Sequence, residues 1–288
     1  MLNDRDFTFT YGRLETVSPS IRRIVAENPG PFTFMGTGTY VVGRGRVAVI
    51  DPGPLLPAHI DALLNALAGE TITHILVTHT HTDHSPGAAP LKAATGAPTL
   101  GFGPHGAVGD TGEAGADLAF APDIRLVDGD VIEGEGWRLE ALHTPGHASN
   151  HLCFALAQES AFFSGDQVMG WSTTVIAPPD GDMAAYMRSL ERLSRRQDAI
   201  YWPTHGGPIR DPRGHLAELI AHRLARREAI LAALSPALPL APADLVKRVY
   251  TGLDPQLVPA AAESVRAHLI ELAAKDLVRE EPNGWRRR

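Results

Sequence analysis

The 288-residue sequence contains a single cysteine, Cys153, which excludes a scaffold of intramolecular disulfides. Cys153 lies in the apolar run 152–156, so we expect a buried structural thiol rather than a nucleophile. No run approaches the ~18 apolar residues of a membrane span, and residues 1–10 lack the apolar core of a signal peptide. We therefore expect a cytoplasmic protein with no membrane partner.

The sequence also lacks a G-x-S-x-G motif, so nothing in it indicates a serine hydrolase. Positive charge is scarce, since 26 Lys and Arg face 33 Asp and Glu, for a net charge of −7. The deficit is uneven, because residues 213–288 carry 12 Lys and Arg against 9 Asp and Glu. The acidic remainder disfavours polyanionic substrates, whereas the basic C-terminal part leaves nucleic-acid binding open.

Histidine, in contrast, is concentrated in the stretch Thr78–Gly87, which follows an apolar run typical of a buried strand. In an extended chain His79 and His81 point the same way, so both can bind one metal ion from one side. Asp83 and His84 follow where the chain turns, and they can serve a second ion beside the first. Imidazole and carboxylate together suit zinc, with iron and manganese as alternatives.

Three later segments place a histidine or an aspartate at a strand end or on a turn. His147 lies in the turn 143–151, Asp166 follows an apolar strand, and His205 sits on a glycine turn after a short strand. Each signal is weak alone. Together with the first stretch they supply the roughly seven protein ligands that two metal ions need.

Other polar residues near these segments have two interpretations each. Asp51, at a predicted strand end, is either a turn residue or an acid that orients the histidine stretch by a hydrogen bond. His151 contacts a ligand or the substrate, or is merely structural, and Thr173 and Thr174 either face substrate or cap a turn. The histidines without a partner pattern are predicted to lie at the surface: His59, His74, His105, His215, His222 and His268.

The first half of the chain alternates strand and helix patterns, which indicates an α/β fold. Residues 32–42 and 46–50 predict a β-hairpin, residues 57–68 a helix, and residues 73–78 the strand that leads to the histidine stretch. Between residues 124 and 164, short β runs joined by turn sequences predict an antiparallel succession.

The C-terminal part, residues 213–288, is predicted as a separate domain behind a catalytic domain of residues 1–212. It contains three helical patterns, and an Asn-Gly turn at 283–284 predicts a final hairpin, as in a winged helix. The expected recognition helix, residues 260–275, balances two basic against two acidic side chains. A domain that packs on the body or covers the site mouth is therefore favoured over a nucleic-acid binder.

The order His-x-His-x-Asp-His, Gly-His, Gly-Asp and a late His-Gly resembles the metallo-β-lactamase superfamily, in particular the hydrolase branch that includes glyoxalase II and β-lactamase-like protein 2. The resemblance spans residues 32–207 and implies a four-layered αβ/βα sandwich, with a winged helix behind it. It also implies two ligand sets and one bridging aspartate. The first set is His79, His81 and His147, the second is Asp83, His84 and His205, and Asp166 bridges them.

The function that follows is a hydrolase with two Zn²⁺ ions and a metal-bridging hydroxide, in which Asp83 both binds metal and orients the hydroxide. The expected substrate is a small-molecule thioester, ester or lactone. The alternative is a single-strand-specific endoribonuclease of the β-lactamase-like protein 2 type. A metal-containing binding or redox module is disfavoured because the chain lacks further cysteines. The sequence leaves a homo-oligomer open.

Overall fold

The structure is a computed structural model that describes residues 7–106 and 115–288. Its first sheet has seven strands that lie side by side in chain order. They are β1 (Glu15–Thr16), β2 (Ile21–Val25), β3 (Gly38–Val42), β4 (Arg46–Ile50), β5 (Thr71–Leu76), β6 (Thr99–Gly101) and β7 (Ile124–Arg125). Strands β1 to β4 pair antiparallel and β4 to β7 pair parallel. The parallel pairs β4–β5 and β5–β6 are each joined through a helix, α1 (Pro57–Ala66) or α2 (Ala88–Thr95), as parallel strands require.

The second sheet has five strands, which are β8 (Val131–Gly134), β9 (Trp137–His143), β10 (Leu152–Leu156), β11 (Ala161–Gly165) and β12 (Ile200–Pro203). Strands β8 to β11 pair antiparallel, and β12 pairs parallel to β11. Helix α3 (Met183–Leu193) makes the crossover between β11 and β12.

The alternation of side chains along the strands divides the interior into layers. On β4, Ala48 and Ile50 face the second sheet, whereas Val47 and Val49 face α1 and α2. On β11, Phe163 faces the first sheet, and its neighbour Phe162 packs with α3 and with α4 (Pro212–Ala233). The predicted four-layered sandwich is therefore confirmed: helices, sheet, sheet, helices.

Two details of the predicted secondary structure were wrong. Strand β7 does not open the antiparallel succession but joins the first sheet, parallel to β6. Its two residues are too short for a side-chain pattern to assign a sheet. The hairpin of β3 and β4 forms, but its first strand begins only at Gly38, because residues 31–35 turn back through a bridge between Gly30 and Phe34.

Behind α4 lie α5 (Pro242–Val249), α6 (Val258–Ala274) and the hairpin β13 (Val278–Glu281) to β14 (Gly284–Arg287). This C-terminal part has its own apolar core, in which Leu245, Leu269 and Trp285 are buried. The predicted winged-helix arrangement is thus present. Within the described residues, none of the helices has the length and apolarity needed to cross a bilayer.

Candidate metal centre

The histidines and aspartates singled out in the sequence come together where strands of both sheets end. The histidine stretch follows β5, Asp166 follows β11, His205 follows β12, and His147 lies in the turn between β9 and β10. Glycines allow the chain this close approach. An added Cβ at Gly146, which has a φ of +141°, would lie 2.3 Å from the Tyr186 Cα. The fold thus brings together side chains that lie up to 126 positions apart in the sequence.

The first cluster consists of three ring nitrogens. The Nε2 of His79 lies 2.8 Å from the Nδ1 of His81, and the Nε2 of His147 lies 3.0 Å from the same atom. Burial holds the pKa of His79 well below its ordinary value and lowers that of His147 to about 4. Neutral imidazoles with converging lone pairs are what a metal ion of the zinc type requires.

The second cluster combines a carboxylate with two further imidazoles. The Oδ2 of Asp83 lies 3.0 Å from the Nε2 of His205 and 3.5 Å from the Nε2 of His84. The Oδ2 of Asp166 stands between the clusters, 3.5 Å from the His205 nitrogen and 3.8 Å from the Nε2 of His147. One aspartate oxygen therefore reaches ligand atoms of both clusters.

Electrostatics distinguishes the two clusters. Burial opposes protonation of His205, but Asp166 and Asp83 beside it outweigh that effect and raise its pKa to about 10. The same carboxylates, with Asp51, raise the pKa of buried His84 well above its ordinary value. The field in the second cluster thus favours positive charge, which either protons or a metal ion can provide.

Buried atoms without hydrogen bonds indicate what this space is built for. The Nε2 of His84 and the Oδ1 of Asp166 are shielded from solvent and lack a hydrogen-bond partner. An unsatisfied buried polar atom is costly and requires an explanation such as an ion. Three groups of residues have ligand atoms within 4.8 Å of one another: His79, His81 and His147; His79, His84 and Asp166; and Asp83, His84 and His205. The residues therefore fit metal ions.

Asp51 lies beneath the histidine stretch and contacts it at several points. Its Oδ1 accepts from the backbone N–H of Thr78 at 2.8 Å, and its Oδ2 accepts from the hydroxyls of Thr78 and Thr204 at 2.8 and 3.0 Å. The same Oδ2 is 2.9 Å from the Nδ1 of His84. An N–H at this nitrogen donates to Asp51, and the bond directs the Nε2 of His84 at the cluster.

Two other histidines are oriented by backbone carbonyls. The Nδ1 of His147 lies 2.8 Å from the Val175 oxygen, and the Nδ1 of His205 lies 3.2 Å from the Gly36 oxygen. Both bonds direct the Nε2 atoms into the clusters. These partners could not be predicted from the sequence, because a carbonyl has no residue signature. The contacts of Thr78 and Thr204 with Asp51 were not predicted either, although a threonine directly before a candidate histidine recurs at 78–79, 80–81 and 204–205 and could have been noticed.

The remaining predicted residues surround the clusters without joining them. His151 is buried, stacks on His79 with ring centroids 4.9 Å apart, and accepts at Nε2 from the Asp166 backbone N–H at 3.2 Å. Thr174 is buried, and its hydroxyl donates to the Asp166 carbonyl at 2.7 Å, so it is not free to face substrate. Thr173 is half-buried, and its carbonyl accepts from the Ser172 hydroxyl.

The surface prediction was wrong for three of the remaining histidines, since His59, His215 and His268 are all buried. The Nε2 of His59 lies 2.8 Å from the Thr39 hydroxyl, which donates to the carbonyl oxygen of Asp51. Each of the three lies on a helix face that packs inward, and a lone histidine on such a face gives no local sign of burial.

The site can now be compared with known proteins. A profile described as metallo-beta-lactamase superfamily matches residues 33–205, which is more than half of the chain. This chain belongs to the metallo-β-lactamase superfamily. A second profile, described as a beta-lactamase associated winged helix domain, matches residues 241–285 and confirms the winged-helix prediction.

Relatives of this superfamily member include the atrochrysone carboxyl ACP thioesterase of Aspergillus chevalieri, 35% identical over 77% of this chain and 68% of the relative. A protein named atrochrysone carboxyl ACP thioesterase AgnL7, from Paecilomyces divaricatus, is 34% identical over 77% of this chain and 66% of its own length. The chain thus spans about two thirds of the length of these relatives. Membership of the superfamily and the names of these relatives support the predicted enzyme class, a hydrolase.

Solved structures agree on the fold. A metallo-β-lactamase family protein from Thermus thermophilus is similar with a TM-score of 0.79 and 25% identity, covering 95% of this chain and 100% of that one. A β-lactamase domain protein from Burkholderia ambifaria has a TM-score of 0.81 at 21% identity, covering 98% and 96%. Both alignments extend over the winged helix as well as the sandwich. The glyoxalase II and β-lactamase-like protein 2 branch stays a prediction.

Proposed function

We propose that this protein is a dinuclear metal-dependent hydrolase of a small-molecule thioester. The observation that carries the proposal is the convergence of imidazole nitrogens and two carboxylates on one buried space, in which the Asp166 Oδ2 reaches both clusters. His79, His81 and His147 would hold one ion, Asp83, His84 and His205 the other, and Asp166 both. Zinc suits this donor set, with iron or manganese as alternatives.

Two divalent cations held there would polarise the scissile carbonyl and lower the pKa of water between them toward about 7. Asp83 is the more accessible of the two carboxylates, with 24% of its side chain exposed against 10% for Asp166. It can therefore accept a hydrogen bond from the attacking water and orient it toward the carbonyl carbon. Hydrolysis then yields a carboxylic acid and a free thiol, and the proton lost by water passes to the thiolate leaving group.

Cys153 does not provide a nucleophile that competes with this mechanism. Its thiol is fully buried, and burial raises its pKa to about 12, so the reactive thiolate is suppressed. The thioester is favoured over an ester or lactone because two curated relatives are named ACP thioesterases. A thiolate is also a better leaving group than an alkoxide.

The charge pattern of the winged helix supports a small substrate over RNA. On α6, Arg266 lies 3.6 Å from Glu263. At the C-terminus, Arg286 lies 2.5 Å from Glu281, and Arg288 lies 2.5 Å from Asp276. Neighbouring acids thus neutralise basic side chains that a phosphate backbone would need. Single-strand-specific endoribonuclease activity remains the alternative that the assay must address.

Metal analysis with a paired activity assay tests the proposal. Wild type and Asp166→Ala are compared on a panel of acyl thioesters and esters and on a fluorescent single-stranded RNA, with Asp244→Ala, at an exposed aspartate of α5, as a matched control. We expect metal in the wild type and thioester cleavage that only Asp166→Ala abolishes. RNA cleavage sensitive to Asp166→Ala would establish the endoribonuclease instead. Full thioesterase activity in metal-free protein would overturn both.

A further inference from the structure

Segment 172–176, which follows Asp166, lies between the metal clusters and the C-terminal helices. On its inner side it contacts two proposed ligands. The Thr174 hydroxyl donates to the Asp166 carbonyl at 2.7 Å, and the Val175 carbonyl lies 2.8 Å from the His147 Nδ1. A displacement of this segment would therefore move two proposed ligands, the bridging Asp166 and His147 of the first cluster.

On its outer side the same segment is held by residues beyond the sandwich. The Nη2 of Arg223, on α4, donates to the Thr174 carbonyl. The backbone N–H of Ile176 donates to the Ser264 hydroxyl, on α6, at 3.2 Å. Three consecutive residues thus connect the proposed ligands to two helices that lie outside the predicted catalytic domain.

Arg223 is an unusual residue to find in this position. It is 2% exposed, its guanidinium carbon lies 5.2 Å from the ring centroid of Tyr186, and its Nε lacks a hydrogen-bond partner. Among the described residues, no carboxylate forms an ion pair with it. A buried cation without a counterion is costly, and its hydrogen bond to the Thr174 carbonyl is the contact that it makes in return.

We propose that α4 and α6 position the metal ligands Asp166 and His147 through segment 172–176, with Arg223 and Ser264 as the positioning residues. This inference rests on the proposed function, since it presumes that the clusters hold metal. It gives the C-terminal part a role that needs no nucleic acid. The helices act on the reaction only through the backbone of the segment, in the way that hydrogen-bond partners of ligands tune metal sites.

The helix α4 provides a matched control for Arg223. Three residues further on, Arg226 donates from Nη1 to the Val249 carbonyl and lies 3.7 Å from the ring centroid of Tyr250. Each arginine thus contacts one backbone carbonyl and one aromatic ring. Only Arg223 touches segment 172–176, because the partners of Arg226 both belong to the C-terminal part.

The test compares Arg223→Met, Arg226→Met and Arg223→Lys with wild type. Metal affinity is measured by chelator competition, the absorption spectrum of the Co²⁺ form reports ligand geometry, and kcat and KM are measured on the thioester. Arg223→Met should weaken metal binding about tenfold, alter the Co²⁺ spectrum and lower kcat more than it raises KM. Arg226→Met should leave affinity and spectrum unchanged. Arg223→Lys should restore most of the affinity, since an ammonium can also donate to the Thr174 carbonyl.

Two failures are distinguishable. A wild type that binds no metal overturns the proposed hydrolase. A wild type that binds metal, with Arg223→Met equal to Arg226→Met in affinity and spectrum, overturns the positioning role and leaves the hydrolase intact. If Arg223→Met does not fold, Ser264→Ala decides, because it removes only the hydroxyl that accepts from Ile176. An unchanged metal affinity in folded Ser264→Ala would contradict the proposal, and a weakened one would support it.

Discussion

Two buried clusters of histidine and carboxylate can be compared in this molecule. One is the proposed metal centre, and the other lies between α4 and α6 around Glu271. There Lys275 lies 2.5 Å from one Glu271 oxygen and Arg227 3.6 Å from the same oxygen, while His268 lies 3.7 Å from the other. In the metal centre, the ionic neighbours of Asp166 within 4.0 Å among the described residues are imidazoles alone.

The difference is the source of positive charge. Around Glu271 the chain provides permanent cations of its own, so the carboxylate is balanced whatever the solution contains. Around Asp166 the balance comes from protons on His84 and His205 or from bound metal. A buried carboxylate surrounded by imidazoles, without lysine or arginine, therefore fits a metal ion. The same residue types around Glu271 form a structural network.

The largest expected effect comes from removing a proposed metal ligand. Asp166→Ala and His81→Ala should each lower kcat/KM for the thioester by at least about 1000-fold, equivalent to about 4 kcal/mol of transition-state stabilisation. Metal content, measured on the same samples, should fall with activity. The comparison would break if Glu271→Gln produced a similar loss of metal, because both clusters would then have the same function.

The second largest effect is expected from metal removal, which should lower stability through the metal centre and not through the Glu271 cluster. Because the ions bind the folded chain, wild type at a metal concentration of 100 times Kd should gain about 2.7 kcal/mol of unfolding free energy for each of the two ions. A chelator should remove this gain, as followed by urea unfolding. Variants at Glu271 should show the same chelator response as wild type. A stability that does not change with chelator in a metal-loaded protein would contradict metal binding to the folded state.

The candidate ligands could be proposed from the sequence because their spacing is visible there, and the resemblance divided them into two sets and a bridging aspartate. His79 and His81 alternate on extended chain, and the strand ends at Asp166 and His205 follow recognisable apolar runs. What could not be predicted depends on distant chain segments. The carbonyls of Val175 and Gly36 orient histidines that lie 28 and 169 residues away. No local pattern distinguishes these carbonyls from those of other residues.

The fold was predictable for a related reason. The apolar run of β4, which is buried from Val47 to Ile50, and the alternating burial over the first residues of β9 can be recognised in the sequence, and the order of ligand motifs implies the sandwich. The sheet to which β7 belongs was predicted wrongly, because two residues are too few to show a side-chain period. Its parallel pairing with β6 places it in the first sheet. The burial of His59 depends on Thr39, which lies on a strand 20 residues earlier.

Asp51 should have an intermediate effect, because it shapes a ligand without being in either proposed ligand set. In Asp51→Asn the amide N–H₂ can replace Oδ2, and it cannot accept the proton on the His84 Nδ1. His84 would then lose its fixed tautomer, and metal affinity should fall about 10- to 100-fold. Competition with a chelator measures the change. Asp130→Asn, at a half-exposed turn, serves as the control, and equal affinities in both variants would contradict the role of Asp51.

The smallest effect is expected at Glu271, where it should appear in stability alone. The neighbouring His268 and Lys275 lower the pKa of Glu271 from 4.5 to about 2, and burial opposes the shift. Since the folded pKa lies below the unfolded one, the stabilisation is complete above about pH 4.5 and is lost as the pH falls toward 2. Because Lys275 is half exposed, Glu271→Gln should cost only about 1–2 kcal/mol at pH 7.

Urea unfolding of wild type and Glu271→Gln at pH 7, 5, 4 and 3, with chelator present, measures this difference without interference from metal. The gap between the two proteins should narrow as the pH falls below about 4.5, because Glu271 then takes up a proton in the unfolded chain while its folded-state pKa is about 2. Glu263→Gln is the matched control, since Glu263 pairs with Arg266 on the same helix with both side chains about half exposed. It should change stability by less than about 0.5 kcal/mol. A gap that stays constant from pH 7 to pH 3 would show that the neighbours of Glu271 do not lower its pKa. The contrast with Asp166 would then lose its electrostatic basis.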